Sequence, residues 1–395
     1  MTLAAGERAT TTEDERLPVP GTTRWAWLRE GLWATLPAWL AARVLVGGMS
    51  WYLDRAHPLG KLFMWDTEWY LLIAKQGYDR PGILIHFFPA TSLGAAGLAT
   101  ITRLPTSIAL FAFCWMFALL FGALVHRAVV RETGDHGAAR RAAWLTQLAP
   151  GAFALVMGYT EPLAGALAVG YFLALRGSSP GQTSRLTASR TWTAAALGFL
   201  SGMARPIGVL LAVPGAVEGL RDARRADWSR SAVARAAVAA AAPAAGLATF
   251  LAYSRVRYGS WLLPYTQQTA KLDRGGIMGN PLGILRHVWR HDPRHHGHEV
   301  ATMAVILIVC FVALLPTLLR RLPISYAAWT VPSLLLAVGS KDFTSLPRYL
   351  GALFPCLMAA ALVTRRRRQW AAVLALSSTL LLWTTYLVFK DYTVA

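Results

Sequence analysis

Long apolar runs recur along this chain from about residue 30 to the C-terminus, separated by short polar links. A helix needs roughly 20 apolar residues to cross a bilayer, and its backbone hydrogen bonds must close within the segment. The pattern therefore predicts an all-α polytopic membrane protein. The predicted spans lie at about 30–53, 90–104, 106–126, 140–157, 160–175, 191–218, 236–254, 299–319, 323–339, 345–364 and 369–389.

Two stretches do not have the pattern of a single transmembrane helix. The long run 191–218 is interrupted by Arg205-Pro206, which predicts a pair of short helices that meet near the outer surface. The segment 87–126 reads as two helices, whereas the charges on either side of it require an odd number of crossings. Either one of those helices is re-entrant, or the charge rule fails there.

The polar segments are too short for a separate soluble domain, so we predict one membrane domain over residues 25–395. Residues 1–24 are rich in Thr, Glu, Arg, Pro and Gly, which predicts a disordered cytoplasmic tail and not a signal peptide. The first outer loop runs from Asp54 to His86. Within it, the sequence from Phe63 to Gln76 predicts a short amphipathic helix along the membrane surface.

The net charge of +19 reflects 39 Lys and Arg residues against 20 Asp and Glu residues. The basic residues collect in short loops, such as 127–141, 221–235 and 365–368, which is typical of the cytoplasmic side of a membrane protein. No groove-reading motif accompanies the charge. Nucleic acid is therefore not a predicted partner.

A stretch of two carboxylates among aromatic residues, Trp65-Asp66-Thr67-Glu68-Trp69-Tyr70, follows the first apolar run. Carboxylates at a membrane edge are costly to desolvate, so they are candidates for function. Asp66 is either a solvated cap of the surface helix or a general base that takes a proton from a hydroxyl group. Glu68 lies two residues further on and points elsewhere in a helix, which makes it the weaker candidate.

Three further polar residues lie at breaks in apolar runs. Glu161 lies in a very short link, where it either begins a helix or pairs with an arginine or a polar substrate. Arg205 lies at a Pro-Gly break, where unpaired amides and a guanidinium group form an anion site. Arg348 lies at another predicted outer edge, and its planar fork of donors suits phosphate. For each arginine, snorkelling to the interface is the alternative.

Neither a metal nor a cofactor is predicted. In an extended stretch Asp66 and Glu68 would share a divalent cation, but two carboxylates make an incomplete site. A group of histidines lacks the i, i+4 pairing with an acidic partner that marks a helical zinc site, and we interpret it as a solvated outer loop. This group comprises His291, His295, His296 and His298.

Taken together, the motifs resemble the PIG-V family, which contains the eukaryotic second GPI mannosyltransferase and its bacterial relatives within the GT-C class of membrane glycosyltransferases. The resemblance extends over about residues 60 to 356. The resembling elements are Trp65-Asp66-x-x-Trp69-Tyr70, Ile73-Ala74, Gly77-Tyr78, Phe87-Phe88-Pro89, Tyr159-Thr160-Glu161-Pro162, Arg205-Pro206-x-Gly208, Pro347-Arg348-Tyr349 and Phe354-Pro355.

The resemblance implies a GT-C-like bundle of about 10–12 transmembrane helices in a bacterial plasma membrane. It implies an inverting glycosyltransferase that moves a sugar, usually mannose, from a polyprenyl-phosphate donor to a hydroxyl of an envelope lipid, glycan or protein on the extracytoplasmic side. In this chain Pro89 is followed by Ala90-Thr91, where the family often has leucine, and the second outer loop matches only loosely. These departures allow a different acceptor.

The resemblance also implies roles for individual residues. Asp66 would be the catalytic base, supported by Glu68 and Glu161. Independently of the family, the transfer needs a cationic site for the departing phosphate, which Arg205, Arg348 or Lys271 would supply. The residues that would line the site are Trp65, Trp69, Tyr70, Tyr78, Phe88, Tyr159, Gln267 and Tyr349.

A transporter of lipids or sugar-lipids is the main alternative, because broken helices with an embedded arginine also build transport sites. A transporter would place its carboxylates near the bilayer midplane. Asp66, Glu68 and Glu161 instead fall at predicted edges, which favours an enzyme. A non-catalytic scaffold is the second alternative, and in it the loop carboxylates would be dispensable.

Overall fold

The computed structural model describes residues 25–79, 82–176, 186–266, 283, 297–339, 343 and 345–391. The predicted tail 1–24 lies outside these residues, as do Gln267, Lys271 and three of the four clustered histidines. Within the described ranges the chain forms α-helices joined by short links and 3-10 turns, and no β-strand occurs there.

The helices are numbered here in chain order. They are α1 (Ala26–Leu53), α2 (Asp66–Gln76), α3 (Pro89–Thr102), α4 (Thr106–Thr133), α5 (His136–Leu148), α6 (Glu161–Arg176), α7 (Ala188–Ala204), α8 (Ala212–Arg225), α9 (Arg230–Tyr258), α10 (Gly297–Arg321), α11 (Ile324–Val338), α12 (Leu346–Gly351), α13 (Phe354–Val363) and α14 (Arg367–Phe389).

Helices α1, α4, α9, α10 and α14 are each long and apolar enough to cross a membrane. They pack with the shorter helices around one extended core of Ala, Leu, Val and Phe side chains. The predicted all-α polytopic membrane protein is therefore confirmed. The predicted surface helix is present as α2, but it begins at Asp66 and not at Phe63, because a separate 3-10 turn occupies Gly60–Phe63.

The length of the short helix α3 bears on the crossing problem in segment 87–126. Its 14 residues extend about 21 Å at 1.5 Å per residue, which is less than the roughly 30 Å of a bilayer core. It packs beside α4, where a Cβ at Gly94 would lie 2.3 Å from the Phe113 ring. Of these two helices, only the 28-residue α4 is long and apolar enough to cross a membrane, which favours the alternative in which α3 is re-entrant.

The break predicted at Arg205-Pro206 is also present. Helix α7 ends at Ala204, a 3-10 turn occupies Pro206–Leu211, and α8 begins at Ala212. Gly208 permits this turn, because a Cβ there would lie only 2.1 Å from the carbonyl oxygen of Ser201. The chain therefore folds back on α7 directly after Arg205.

Two predicted single spans are divided in the structure. Over 140–157 the helix α5 ends at Leu148 before Pro150, and a 3-10 turn at Ala152–Leu155 follows. Over 345–364 the chain forms α12 and α13 with a break before Pro355. Proline lacks the amide donor and fixes its own φ, so a continuous apolar run does not guarantee a continuous helix.

A buried ionic network joins four helices at the end of α6 that is remote from Glu161. The Arg176 guanidinium donates to both oxygens of Glu132, at 2.8 and 3.1 Å, and to Glu218 at 2.6 Å. The Tyr326 hydroxyl donates to Glu132 at 3.0 Å, and Arg221 reaches the second oxygen of Glu218 at 3.5 Å. Buried charges are stable only when paired, so this network fixes α4, α6, α8 and α11 to one another.

We predict that Arg176→Met destabilises the protein by about 3–5 kcal/mol, because it leaves two buried carboxylates without their main partner. Arg221→Met is the control, since Arg221 contacts the same Glu218 but is 40% exposed, and it should cost under about 1 kcal/mol. The free energy of unfolding of each variant, purified in detergent, measures both effects. Equal losses would contradict a structural role centred on Arg176.

Candidate active site

Asp66 and Arg348 form a buried ion pair although they lie 282 residues apart in the sequence. Asp66 is the first residue of α2, and Arg348 lies in α12. Their exposed fractions are only 7% and 6%. Arginine does not lose its proton in proteins, and the carboxylates of Asp66 and Glu161 both stabilise the charged form of Arg348. Arg348 is therefore a permanent cation.

A second buried pair lies directly beside the first. Arg205 donates to Glu161 at 2.7 Å, and the Nε of Arg348 lies 3.7 Å from the same carboxylate oxygen. The ring of Tyr349 contacts both guanidinium groups, with centroid distances of 5.0 Å to Arg205 and 5.4 Å to Arg348. We call Asp66, Glu161, Arg205 and Arg348 the four-charge cluster. Its formal charge is zero.

The backbone turns sharply just before Asp66. Trp65 has φ 60° and ψ −131°, a conformation that L-residues rarely adopt. Its indole Nε1 donates to the carbonyl oxygen of Val388 at the end of α14, at 3.2 Å. On the other side of Asp66, the Thr67 hydroxyl accepts from the amide of Gly158 at 3.2 Å. These contacts hold a strained turn that aims Asp66 into the protein.

Small hydroxyl groups bring Glu161 and Arg205 together. Thr91 of α3 donates to the Thr160 hydroxyl at 2.8 Å, and Thr160 donates to the carbonyl of Ala204 at 3.2 Å. The residue before Glu161 is thus fixed to the residue before Arg205. Both ionic side chains begin from neighbouring backbone positions, although they belong to opposite ends of different helices.

Two polar atoms of the cluster have no hydrogen-bond partner among the described residues. They are Glu161 Oε2 and Arg348 Nε. A small cavity with room for about one water molecule borders Glu161 and Arg348. Burial, and next the charge of Asp66, raise the pKa of the Tyr159 phenol, so it remains a neutral donor. The cluster therefore has capacity for a further polar group.

The other predicted lining residues occupy different places. Trp69, Tyr78 and Phe88 pack in a separate aromatic cluster with Tyr70 and Phe87. Within it the Tyr78 hydroxyl donates to the Phe87 carbonyl at 2.5 Å. These contacts support packing, and the role of these residues as site lining stays a prediction.

Glu68 is exposed and lies outside the four-charge cluster, in line with its weaker ranking. Glu161 was predicted to pair with an arginine or a polar substrate, and in the structure it pairs with Arg205. Sequence reasoning missed the pairing of Asp66 with Arg348, the hydroxyls of Thr91 and Thr160, and the close approach at Gly151. For the pairing of Asp66 with Arg348, the only signal in the sequence was the small number of acidic residues in a basic chain.

Comparison with known proteins shows the fold. Neither a protein-family model nor a curated protein sequence matches this chain. The structure resembles ArnT from Cupriavidus metallidurans, solved with undecaprenyl phosphate, with a TM-score of 0.50 and 15% identity over 88% of this chain and 62% of that one. It also resembles the oligosaccharyltransferase AglB from Archaeoglobus fulgidus, solved with an inhibitory peptide and a dolichol-phosphate.

The AglB match has a TM-score of 0.42 and 14% identity over 90% of this chain and 56% of that one, which is too weak to define a shared fold. This chain thus spans less than two thirds of the length of either protein. The likeness to ArnT therefore shows an all-helical membrane fold and no more.

We predict that Gly151→Ala destabilises the protein, because a Cβ there would lie 2.0 Å from the Pro347 carbonyl oxygen and 2.7 Å from the Arg348 Cα. Overpacking of this kind costs about 1–3 kcal/mol. Gly47→Ala is the matched control, since a Cβ at Gly47 meets nothing within 4 Å. Thermal unfolding should separate the two variants, and an unchanged midpoint for Gly151→Ala would refute the close approach of α12.

Proposed function

We propose that this chain is an inverting membrane glycosyltransferase that uses a polyprenyl-phosphate sugar as its donor. The observation that carries the proposal is the four-charge cluster with its unsatisfied polar atoms. The fold likeness to ArnT, which was solved with undecaprenyl phosphate, supports a lipid-phosphate ligand. The motif resemblance to the PIG-V family favours mannose as the sugar and the extracytoplasmic side as the location.

The cluster supplies the two groups that such a transfer needs. Asp66 is the base for the acceptor hydroxyl, and Arg348 together with Arg205 binds the donor phosphate. Arginine forms charge-assisted, bidentate hydrogen bonds with phosphate. Arg348 still has a free Nε donor among its described contacts, and the neutral Tyr159 phenol offers another.

The reaction moves negative charge from Asp66 to the phosphate. The acceptor oxygen forms a bond to the anomeric carbon, the bond from that carbon to the phosphate oxygen breaks, and Asp66 takes the hydroxyl proton. Asp66 thereby becomes neutral while the leaving lipid phosphate gains one charge. Arg348 contacts Asp66 directly. As Asp66 becomes neutral, Arg348 can bind the phosphate that gains the charge instead. This contact stabilises the transition state more than the bound donor.

The acceptor is a hydroxyl of an envelope lipid, glycan or protein, and the enzyme resides in a bacterial plasma membrane. A direct displacement by this hydroxyl inverts the anomeric centre. In this proposal the four-charge cluster supplies both the base and the anion-binding groups, so we assign no cofactor to the reaction. Lys271 is proposed as a third cation for the phosphate, on its charge and its place in the predicted second outer loop alone.

We predict that Asp66→Asn lowers sugar transfer by about 10²–10⁴-fold, because the proton acceptor is removed. Its affinity for undecaprenyl phosphate should be equal or higher, since Arg348 loses a competing carboxylate. Transfer of labelled mannose from polyprenyl-phosphate mannose into membranes of a strain lacking the gene measures the first effect. Asp54→Asn, in the same outer loop, is the control. Normal transfer by Asp66→Asn would disprove the base assignment.

A second prediction concerns the phosphate cradle. The double variant Asp66→Asn/Arg348→Gln keeps the buried pair neutral but removes the cation, so affinity for undecaprenyl phosphate should fall about 10–100-fold relative to Asp66→Asn. Arg205→Ala should also weaken binding. Arg55→Ala, an exposed arginine of the outer loop, should bind normally. Unchanged affinity in both cluster variants would remove the cradle from the proposal.

A further inference from the structure

A separate group of ionisable side chains lies where α1, α4 and α5 meet. Glu30 lies near the start of α1, His126 near the end of α4, and His136 begins α5. A carboxylate oxygen and a ring nitrogen from each histidine all lie within 4.8 Å of one another. The glycosyl transfer proposed above does not use this group.

The distances suit a shared cation with small side-chain movements. The Glu30 Oε1 lies 2.6 Å from the Nδ1 of His136 and 3.8 Å from the Nε2 of His126. Ligand atoms around a tetrahedral zinc ion lie roughly 3.3 Å apart, given metal–ligand bonds of about 2.0–2.1 Å. The observed distances fall on both sides of that value.

His126 provides an independent sign that a ligand belongs here. Its exposed fraction is only 2%, and its Nε2 makes no hydrogen bond to any residue within the described ranges. Buried polar nitrogens almost always have a partner. This Nε2 faces the Glu30 carboxylate at a distance too long for a hydrogen bond, which leaves space for an ion between them.

The backbone around the group is held tightly. A Cβ at Gly31 would lie 2.8 Å from the Ala123 carbonyl oxygen, so α1 and α4 are in close backbone contact beside the group. Gly134 ends α4 with φ 69°, and the Asp135 side chain caps α5 by accepting from the Ala138 amide at 2.8 Å. This tight turn fixes His136 relative to His126.

We infer that Glu30, His126 and His136 bind one divalent transition-metal ion, with zinc the ion that best suits two imidazoles and one carboxylate. Two histidines and a glutamate are an established zinc donor set, and the fourth position is left for water. The ion joins the start of α1 to the turn between α4 and α5. It is a clamp on the bundle end that carries the arginine-rich loops.

Nearby cations set a limit on the affinity. Arg127 and Arg140 both act electrostatically on His126, and they repel a bound cation, whereas Glu30 attracts it. Binding is therefore weaker than in a closed four-ligand site, and the ion is removable by EDTA. This property makes the inference directly measurable.

The test uses full-length protein in detergent, stripped with EDTA, incubated with zinc chloride and desalted, with zinc counted by mass spectrometry. Wild type should retain about one zinc per chain, and zinc should raise its thermal midpoint. Glu30→Gln and His136→Gln should lose this zinc and the thermal shift. Both side chains are about half exposed, so these variants should fold. Cobalt should give tetrahedral visible absorption in wild type but not in Glu30→Gln or His136→Gln.

His57→Gln is the matched control, because His57 also lies near a carboxylate, Asp54 at 3.7 Å, but outside any three-ligand group among the described residues. It should retain one zinc. A wild type that binds no zinc would overturn the inference. So would undiminished zinc in Glu30→Gln and His136→Gln, since the ion would then be bound elsewhere, for instance by the histidines at 291–298.

Discussion

The need to pair buried charges is the constraint on which this structure depends. An ionised group removed from water costs several kcal/mol unless a partner and hydrogen bonds compensate it. Asp66, Glu161, Arg205 and Arg348 are each less than a tenth exposed. They come from the start of α2, the start of α6, the end of α7 and α12, so these four elements must meet for any of the charges to be stable.

Two ionic groups at opposite ends of α6 differ in one informative respect. In the network around Arg176, all three guanidinium nitrogens of Arg176 and both oxygens of Glu132 and Glu218 have partners. In the four-charge cluster, Glu161 Oε2 and Arg348 Nε have none among the described residues. A saturated network is complete as a structural clamp, whereas an unsaturated one can accept a ligand. This contrast favours phosphate binding at the cluster.

The sequence predicted the membrane fold and one of its breaks for physical reasons that act locally. Arg205-Pro206 predicted the turn between α7 and α8, since proline cannot continue a helix. The division of segment 140–157 was missed, because the apolar pattern continues through Pro150. The short length of α3 in segment 87–126 was also missed as a sign of a helix that does not cross, because hydropathy alone did not define where the helix ends.

The candidate site was predictable residue by residue but not as an assembly. Each of Asp66, Glu161, Arg205 and Arg348 is conspicuous as a charge at the edge of an apolar run. Their pairing is a long-range contact with no local signature. The unusual φ of Trp65 likewise accompanies a contact with Val388, which is remote in sequence. Aromatic residues near a motif, such as Phe88, pack in a core as readily as they line a site.

The most direct test of the account is an experimental structure of this protein with undecaprenyl phosphate. The account predicts a phosphate oxygen within hydrogen-bond distance of the Arg348 guanidinium, with the contact between Arg348 and Asp66 lengthened or lost. It also predicts Asp66 facing the open side of the phosphate. A phosphate bound elsewhere, with the pair of Asp66 and Arg348 intact, would contradict it.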